Sequence, residues 1–123
     1  MRTFQYMLTA WALIGSAAAH HSVASFDRTN PQVVSGTITQ WSWANPHCWL
    51  AMDVPDGKGG IQKWKLEGIS ATGFVREGYG VNTLKPGETV KMLFAPRRDG
   101  AIGGEFLKVI ELNGKPFIAK TGS

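Results

Sequence analysis

The sequence contains three histidines, and two of them, His20 and His21, follow directly on Ser16-Ala17-Ala18-Ala19. The third, His47, lies in "WSWANPHCW", where Trp41, Trp43 and Trp49 crowd a single hairpin. Neutral imidazole is the commonest metal-binding side chain. If the chain is cut after Ala19, His20 carries a free α-amine beside its own imidazole, and both nitrogens can chelate one ion. A second imidazole then completes a three-nitrogen, roughly T-shaped set. Nitrogen-rich tetragonal geometry suits Cu(II) best, by ligand type and by the affinity order of divalent ions. The amine titrates at about 8 and imidazole at about 6.5, so both shed their protons cheaply near neutral pH. Cuts after Ala18 or Ala17 place His21 or His20 third from the amine, the spacing of a square-planar Cu(II) or Ni(II) chelate. The competing reading is a frayed, solvated terminus whose histidines bind nothing.

The tryptophan hairpin offers the second chemistry. Strict alternation puts Trp41, Trp43, His47 and Trp49 on one face, with Asn45 in the turn between them and Cys48, Leu50 and Met52 on the opposite, core face. A bare aromatic face of that size marks an interaction. One expectation is that residues 20–31 fold across it, packing Val23 and Phe26 on the tryptophans and carrying His20 or His21 toward His47. The other is a stacking platform for a peptide, a glycan or a partner protein. Asp27 stands near enough to orient a histidine as a hydrogen-bond acceptor behind the metal, or it caps the Asn30-Pro31 turn. A lone histidine beside proline also reads as a structural residue bonded to backbone. Cys48, on an apolar strand face, reads as a buried and inert thiol.

These groups need a scaffold, and the pattern that follows is β-rich. "QVVSGTITQWSW" has strand composition, with Val34 and Ile38 inward and Gly36 marking a bulge or a sharp barrel bend. Residues 47–54 and "IQKWKLEG" supply two more strands. Ser70 reads as the N-cap of a short helix holding Phe74 and Val75, with Gly78 as its terminator. A Pro86-Gly87 turn leads to a fourth strand that points Val90, Met92 and Phe94 inward. "EFLKVIEL" is the fifth, and Asn113-Gly114 turns it into a sixth, "KPFIA". The predicted fold is mainly β, a small OB-like antiparallel barrel of five to six strands with one short helix between strands 3 and 4. A small sandwich with an edge helix is the alternative.

The N-terminus predicts an address. Arg2 precedes an uncharged, mostly apolar run from Phe4 to Gly15, and small residues close it, as in a cleaved secretory signal. The run is shorter than the roughly 20 residues that span a bilayer. No cysteine follows for a lipid anchor, so no stable membrane anchor is expected after cleavage. An N-terminal helix packed on the domain is the competing reading. The expected organisation is a signal peptide over 1–19, an extension over 20–31 and one barrel domain over 32–123, exported to a bacterial periplasm or secreted. A single cysteine excludes an internal disulfide. The net charge of +4 is scattered rather than blocked, which together with the compartment argues against nucleic acid. No GxSxG, CxxC, HExxH or P-loop pattern occurs, and the carboxylates show no catalytic pairing.

Taken together, "HHS", the "FD" that follows, "V-x-G-x-I-x-x-W", "NPH-x-W" and "L-K-P-G-E-x-V" resemble a family of uncharacterised bacterial exported proteins, a domain of unknown function. The resemblance runs from His20 to about Leu112 and implies a small periplasmic barrel similar to OB folds. It brings no activity, substrate or cofactor, but its pattern includes His20, His21, Asn45, Pro46, His47 and Trp49. Three functional readings follow. The first is a non-enzymatic module holding copper through His20 and His21, helped by His47. The second is an OB-like module that takes a small ligand or a periplasmic protein on the tryptophan face. The third is a copper-dependent redox enzyme, the least supported, because nothing in the chain specifies a substrate.

Overall fold

The computed structural model describes residues 24–120, so His20, His21 and Val23 lie outside the described residues. Among the described residues the named elements follow in the order β1 (Gln32–Ser42), β2 (Trp49–Pro55), β3 (Ile61–Glu67), α1 (Ala71–Arg76), β4 (Thr89–Pro96), β5 (Gly104–Leu112) and β6 (Lys115–Pro116). Hydrogen bonding runs β3-β2-β1-β4-β5-β6, and β3 also pairs with β5. That last pairing, Leu66 with Gly104 and Glu67 with Glu105, is parallel and closes the sheet into a ring; the others are antiparallel. The result is the OB-type barrel that the element order predicts, with the helix between β3 and β4.

β1 serves both halves of the barrel. Its first half, Gln32 to Thr37, pairs with β4, and its second half, from Thr37, pairs with β2. Between Ile38 and Gln40 the register slips, so Thr39 is an extra residue. A bulge of this kind reverses the alternation beyond it. Trp41 therefore lies opposite Leu50, a fully buried residue, and Trp43 follows it to the inner side.

The core lies where alternation predicts it on β2 and β4. Cys48, Leu50, Met52 and Val54 are buried, as are Val90, Met92 and Phe94. Helix α1 is only six residues long, too short to be stable alone, and its caps and packing hold it. The Ser70 hydroxyl accepts the Gly73 N–H at 3.1 Å, and Gly78 takes a left-handed φ of 91° just past the end. The helix drives Phe74 into one end of the barrel.

The Asn113-Gly114 hairpin forms as predicted, with φ of 52° and 77°, the paired positive angles of a type I′ turn. Strand β6 stops after Lys115 and Pro116 instead of running on through "KPFIA". Pro116 has no N–H to continue a ladder. Phe117 then turns inward to stack on Tyr79, at 5.6 Å between ring centres, and donates its N–H to the Ile110 carbonyl.

Tyr79 yields a pH prediction. Its hydroxyl accepts the Val109 N–H at 3.2 Å, and burial pushes its phenol above the ordinary value. The folded state thus favours the neutral ring, while the unfolded chain ionises at about 10. The contribution is whole below that pH and is lost as pH rises through the folded value. Residues 20–123 contain no other tyrosine. In a chain starting at His20, ultraviolet phenolate absorbance should appear at higher pH than in the same chain unfolded in urea.

Candidate functional site

His47 is positioned by two loops zipped side by side. The turn before it contains a cis Asn45-Pro46 peptide. Cys48 then donates its N–H to the Ile69 carbonyl at 2.8 Å and accepts the Gly68 N–H at 2.7 Å. These bonds end the free loop one residue after His47, and β2 begins at Trp49 rather than at His47 as expected from sequence. The Cys48 thiol is fully buried, within 3.5 Å of the Ala44 N–H and carbonyl. Its inert reading fits this environment.

The His47 ring lies on the outer side with its side chain 40% exposed. Nδ1 is 3.0 Å from the Gly68 carbonyl. A carbonyl only accepts, so Nδ1 is the donor here, and in the neutral ring the lone pair lies on Nε2. Glu67 stands behind the same edge, its Oε1 3.6 Å from Nδ1. A backbone or carboxylate partner on one ring nitrogen is the arrangement that orients the other as a metal ligand. It is equally the backbone-bonded histidine of the structural reading. Asn45 is exposed in the turn.

The single tryptophan face does not form. Trp41 and Trp43 point to the inner side because of the bulge at Thr39. Trp41 packs on Phe74 and Phe106, at 5.4 and 5.9 Å between ring centres, and donates its indole N–H to the Gly80 carbonyl at 3.1 Å. Trp43 stacks on Phe74 at 6.3 Å. Both rings therefore cap the helix end of the core. Trp49 remains outside with His47, and the Lys65 ammonium covers its ring at 4.6 Å. Residues that share a strand pattern thus end on two faces.

The segment before β1 also departs from expectation. Phe26 is buried, but against Arg97 past the end of β4, through an isolated β-bridge, and outside the main core cluster that the tryptophans join. The neighbouring backbone bonds, Asp27 N–H to Pro96 and Arg98 N–H to Ser25, seat this stretch beside the β4–β5 loop. Asp27 turns its carboxylate to its own chain: Oδ1 accepts the Thr29 hydroxyl at 2.6 Å and the Thr29 N–H at 3.1 Å. The hydroxyl bond, aided by the N–H, holds the Asp27 carboxyl below the usual range.

One contact ties this segment to the row of residues beside His47, and sequence reasoning missed it. Arg28 grips Glu105 with a two-pronged pair, Nε to Oε1 and Nη2 to Oε2, each 2.7 Å. Glu105 is the Cα partner of Glu67 across the parallel seam, and Glu67 is the partner of Trp49. So Trp49, Glu67 and Glu105 form one row around the barrel; Glu67, in its middle, faces His47, and Glu105, at its end, holds Arg28. The two ionic residues stand 77 positions apart, a separation for which local periodicity carries no signal. Among the described residues, no group of three histidine, cysteine, aspartate or glutamate side chains is arranged to hold a metal ion.

Residues 9–106 match DUF6152, a family of unknown function. The chain belongs to this family. The DUF6152 match takes in His20, His21 and His47 together with Glu67 and Glu105, and it ends within β5. No curated protein and no solved structure matches the chain.

Proposed function

We propose that this DUF6152 protein is an exported, non-enzymatic binding module that works in a bacterial periplasm and holds copper. Cleavage after Ala19 gives His20 an amine and an imidazole for the ion, and His21 and His47 supply further nitrogens. The observation that carries the reading is the state of His47. Its Nδ1 is committed to the Gly68 carbonyl, so Nε2, on a half-exposed ring, is the nitrogen that the neutral imidazole offers to an ion. The Arg28–Glu105 grip supports the same reading. It fastens the chain seven residues after His21, one barrel row from the carboxylate behind His47.

The test begins with intact-mass determination of the exported chain, followed by Cu(II) titration against a competing chelator. The chain beginning at His20 is expected to bind Cu(II) tighter than micromolar. One extra N-terminal residue should weaken binding by about a hundredfold, since it removes the chelating amine from His20. His47→Ala should weaken it by about tenfold, the loss of one imidazole from a chelate. Binding no tighter than micromolar in the chain beginning at His20 overturns the copper reading. Unchanged affinity in His47→Ala removes His47 from the site.

A further inference from the structure

Beyond β4 the barrel opens into a cleft of about 540 Å³, formed by residues 27–32, the end of β4 and the β4–β5 loop. Its floor is aromatic. Trp64 and Phe94 meet there edge to face, 5.2 Å between ring centres at 87°. Trp64 is fixed by its indole N–H, which Gln62 accepts at 3.2 Å. The volume falls within the range of small-molecule sites, about 300–1,000 Å³.

The rim carries polar groups in two different states. Arg97 is committed: its guanidinium forks onto Asp99 at 2.6 and 3.0 Å. That fork and the Ala101 N–H hold the Asp99 carboxyl down at about 2. Arg98 is not. Its nearest carboxylate is Asp27 at 4.0 Å, and that oxygen already accepts two bonds from Thr29. The side-chain amides of Asn30 and Gln32, which also line the cleft, have no hydrogen-bond partner among the described residues. The β4–β5 loop and the chain entering β1 therefore present one loosely paired guanidinium and two open amides beside Trp64.

We propose that this cleft binds a hexuronic acid, a sugar that bears a carboxylate. The apolar C–H face of a pyranose suits the partly exposed Trp64 ring, which the buried Phe94 supports from the core. Its hydroxyls both donate and accept, as the Asn30 and Gln32 amides do. Its carboxylate matches the fork of Arg98, which recognises such a group through two parallel hydrogen bonds. The same chemistry is offered by a free uronate and by the end of an acidic polysaccharide. No histidine lines the cleft, so this site is independent of the copper reading.

The test uses the chain beginning at His20, without metal, and follows the Trp64 indole resonance by NMR, assigned through Trp64→Phe. Glucuronate is expected to shift that resonance with millimolar affinity, glucose about tenfold more weakly, and acetate not at all, since only the sugar spans floor and rim. Arg98→Met should reduce glucuronate binding by about tenfold, to the level of glucose, while Arg98→Lys retains part of the preference. A dimer of glucuronate that binds tighter than the monomer identifies the polysaccharide as the source; equal affinity identifies the free sugar. No response to glucuronate, an equal response to acetate, or unchanged affinity in Arg98→Met overturns the proposal.

Discussion

Replacing Phe74 with alanine lowers the unfolding free energy by about 3–5 kcal/mol, the range for removing a fully buried phenylalanine. Phe74 has no exposed surface, and four rings converge on it: Phe106 at 4.9 Å, Tyr79 at 5.2 Å, Trp41 at 5.4 Å and Trp43 at 6.3 Å. Tilted and edge-to-face aromatic pairs add to the area they bury. The ring also presses on Gly68, where a Cβ would stand 2.6 Å from Phe74 Cε2. The pocket is thus made for a phenyl group, and its walls belong to different elements that have little freedom to collapse inward. Cavities that stay open are the costly ones. Urea denaturation monitored by tryptophan fluorescence checks this, because Trp41 and Trp43 form the lid. Val75→Ala serves as the comparison. Val75 is 58% exposed on the same helix, and its loss should change stability by less than about 0.5 kcal/mol. Equal effects at the two positions would remove Phe74 from its role as the plug.

The same cluster shows which part of the fold was legible in the sequence. Element order was enough for the barrel, because three strands, a helix and two further strands leave few ways to close a sheet. The helix ends were legible too, since Ser70 and Gly78 do local work at the backbone. Alternation also placed Leu50, Met52, Val90 and Met92. It failed at Trp41 and Trp43 for one reason, the extra residue at Thr39. A bulge has no composition of its own when its extra residue is a threonine between Ile38 and Gln40, and one inserted residue moves every later side chain to the other face. Trp41 and Trp43 consequently left the surface on which a ligand platform was expected, and Trp49 alone of the three stayed there.

The candidate site was legible in its donors and not in its supports. His47 stood out by type and by its neighbours. What fixes its proton is the Gly68 carbonyl, a backbone atom from a different strand end, and no residue type announces that. Glu67 and Glu105 looked like ordinary polar strand residues. Their adjacency arises only where β3 meets β5 in parallel, a contact between segments that share no turn. Arg28 is recognisable as a latch only once Glu105 is known to lie beside that seam. A bare aromatic face predicts a cover, and Phe26 is the nearby apolar residue, whereas the β-bridge to Arg97 binds it through backbone at another place.

The waist of the barrel supplies the second large effect. Gly36→Val is expected to cost about 3 kcal/mol, the upper end for overpacking a closed interior. Thr37 is paired to Thr89 of β4 on one side and to Asp53 of β2 on the other, so β1 passes from one half of the barrel to the other at this point. Gly36 immediately precedes it. A Cβ at Gly36 would stand 2.5 Å from the Asp53 carbonyl oxygen, 3.1 Å from Val54 Cγ2 and 3.2 Å from the Met52 sulfur. The sulfur can move, but the carbonyl is held in the β1–β2 ladder. Relief must come from parting two strands, and that disturbs both sets of pairings through the residue they share. Alanine carries the same Cβ, so Gly36→Ala should already show much of the loss, with valine adding the contacts of its branches. Gly80→Ala is the control. It has no positive φ, and its nearest neighbour is the Thr83 hydroxyl at 3.7 Å, so its change should stay within about 0.5 kcal/mol. Denaturant midpoints that fall at Gly36 but not at Gly80, with the slope m unchanged, would place the cost in the folded barrel rather than in the unfolded chain. A rise in midpoint at both sites would instead belong to the unfolded state, where alanine reduces backbone freedom, and the bend in β1 would then not depend on a missing side chain.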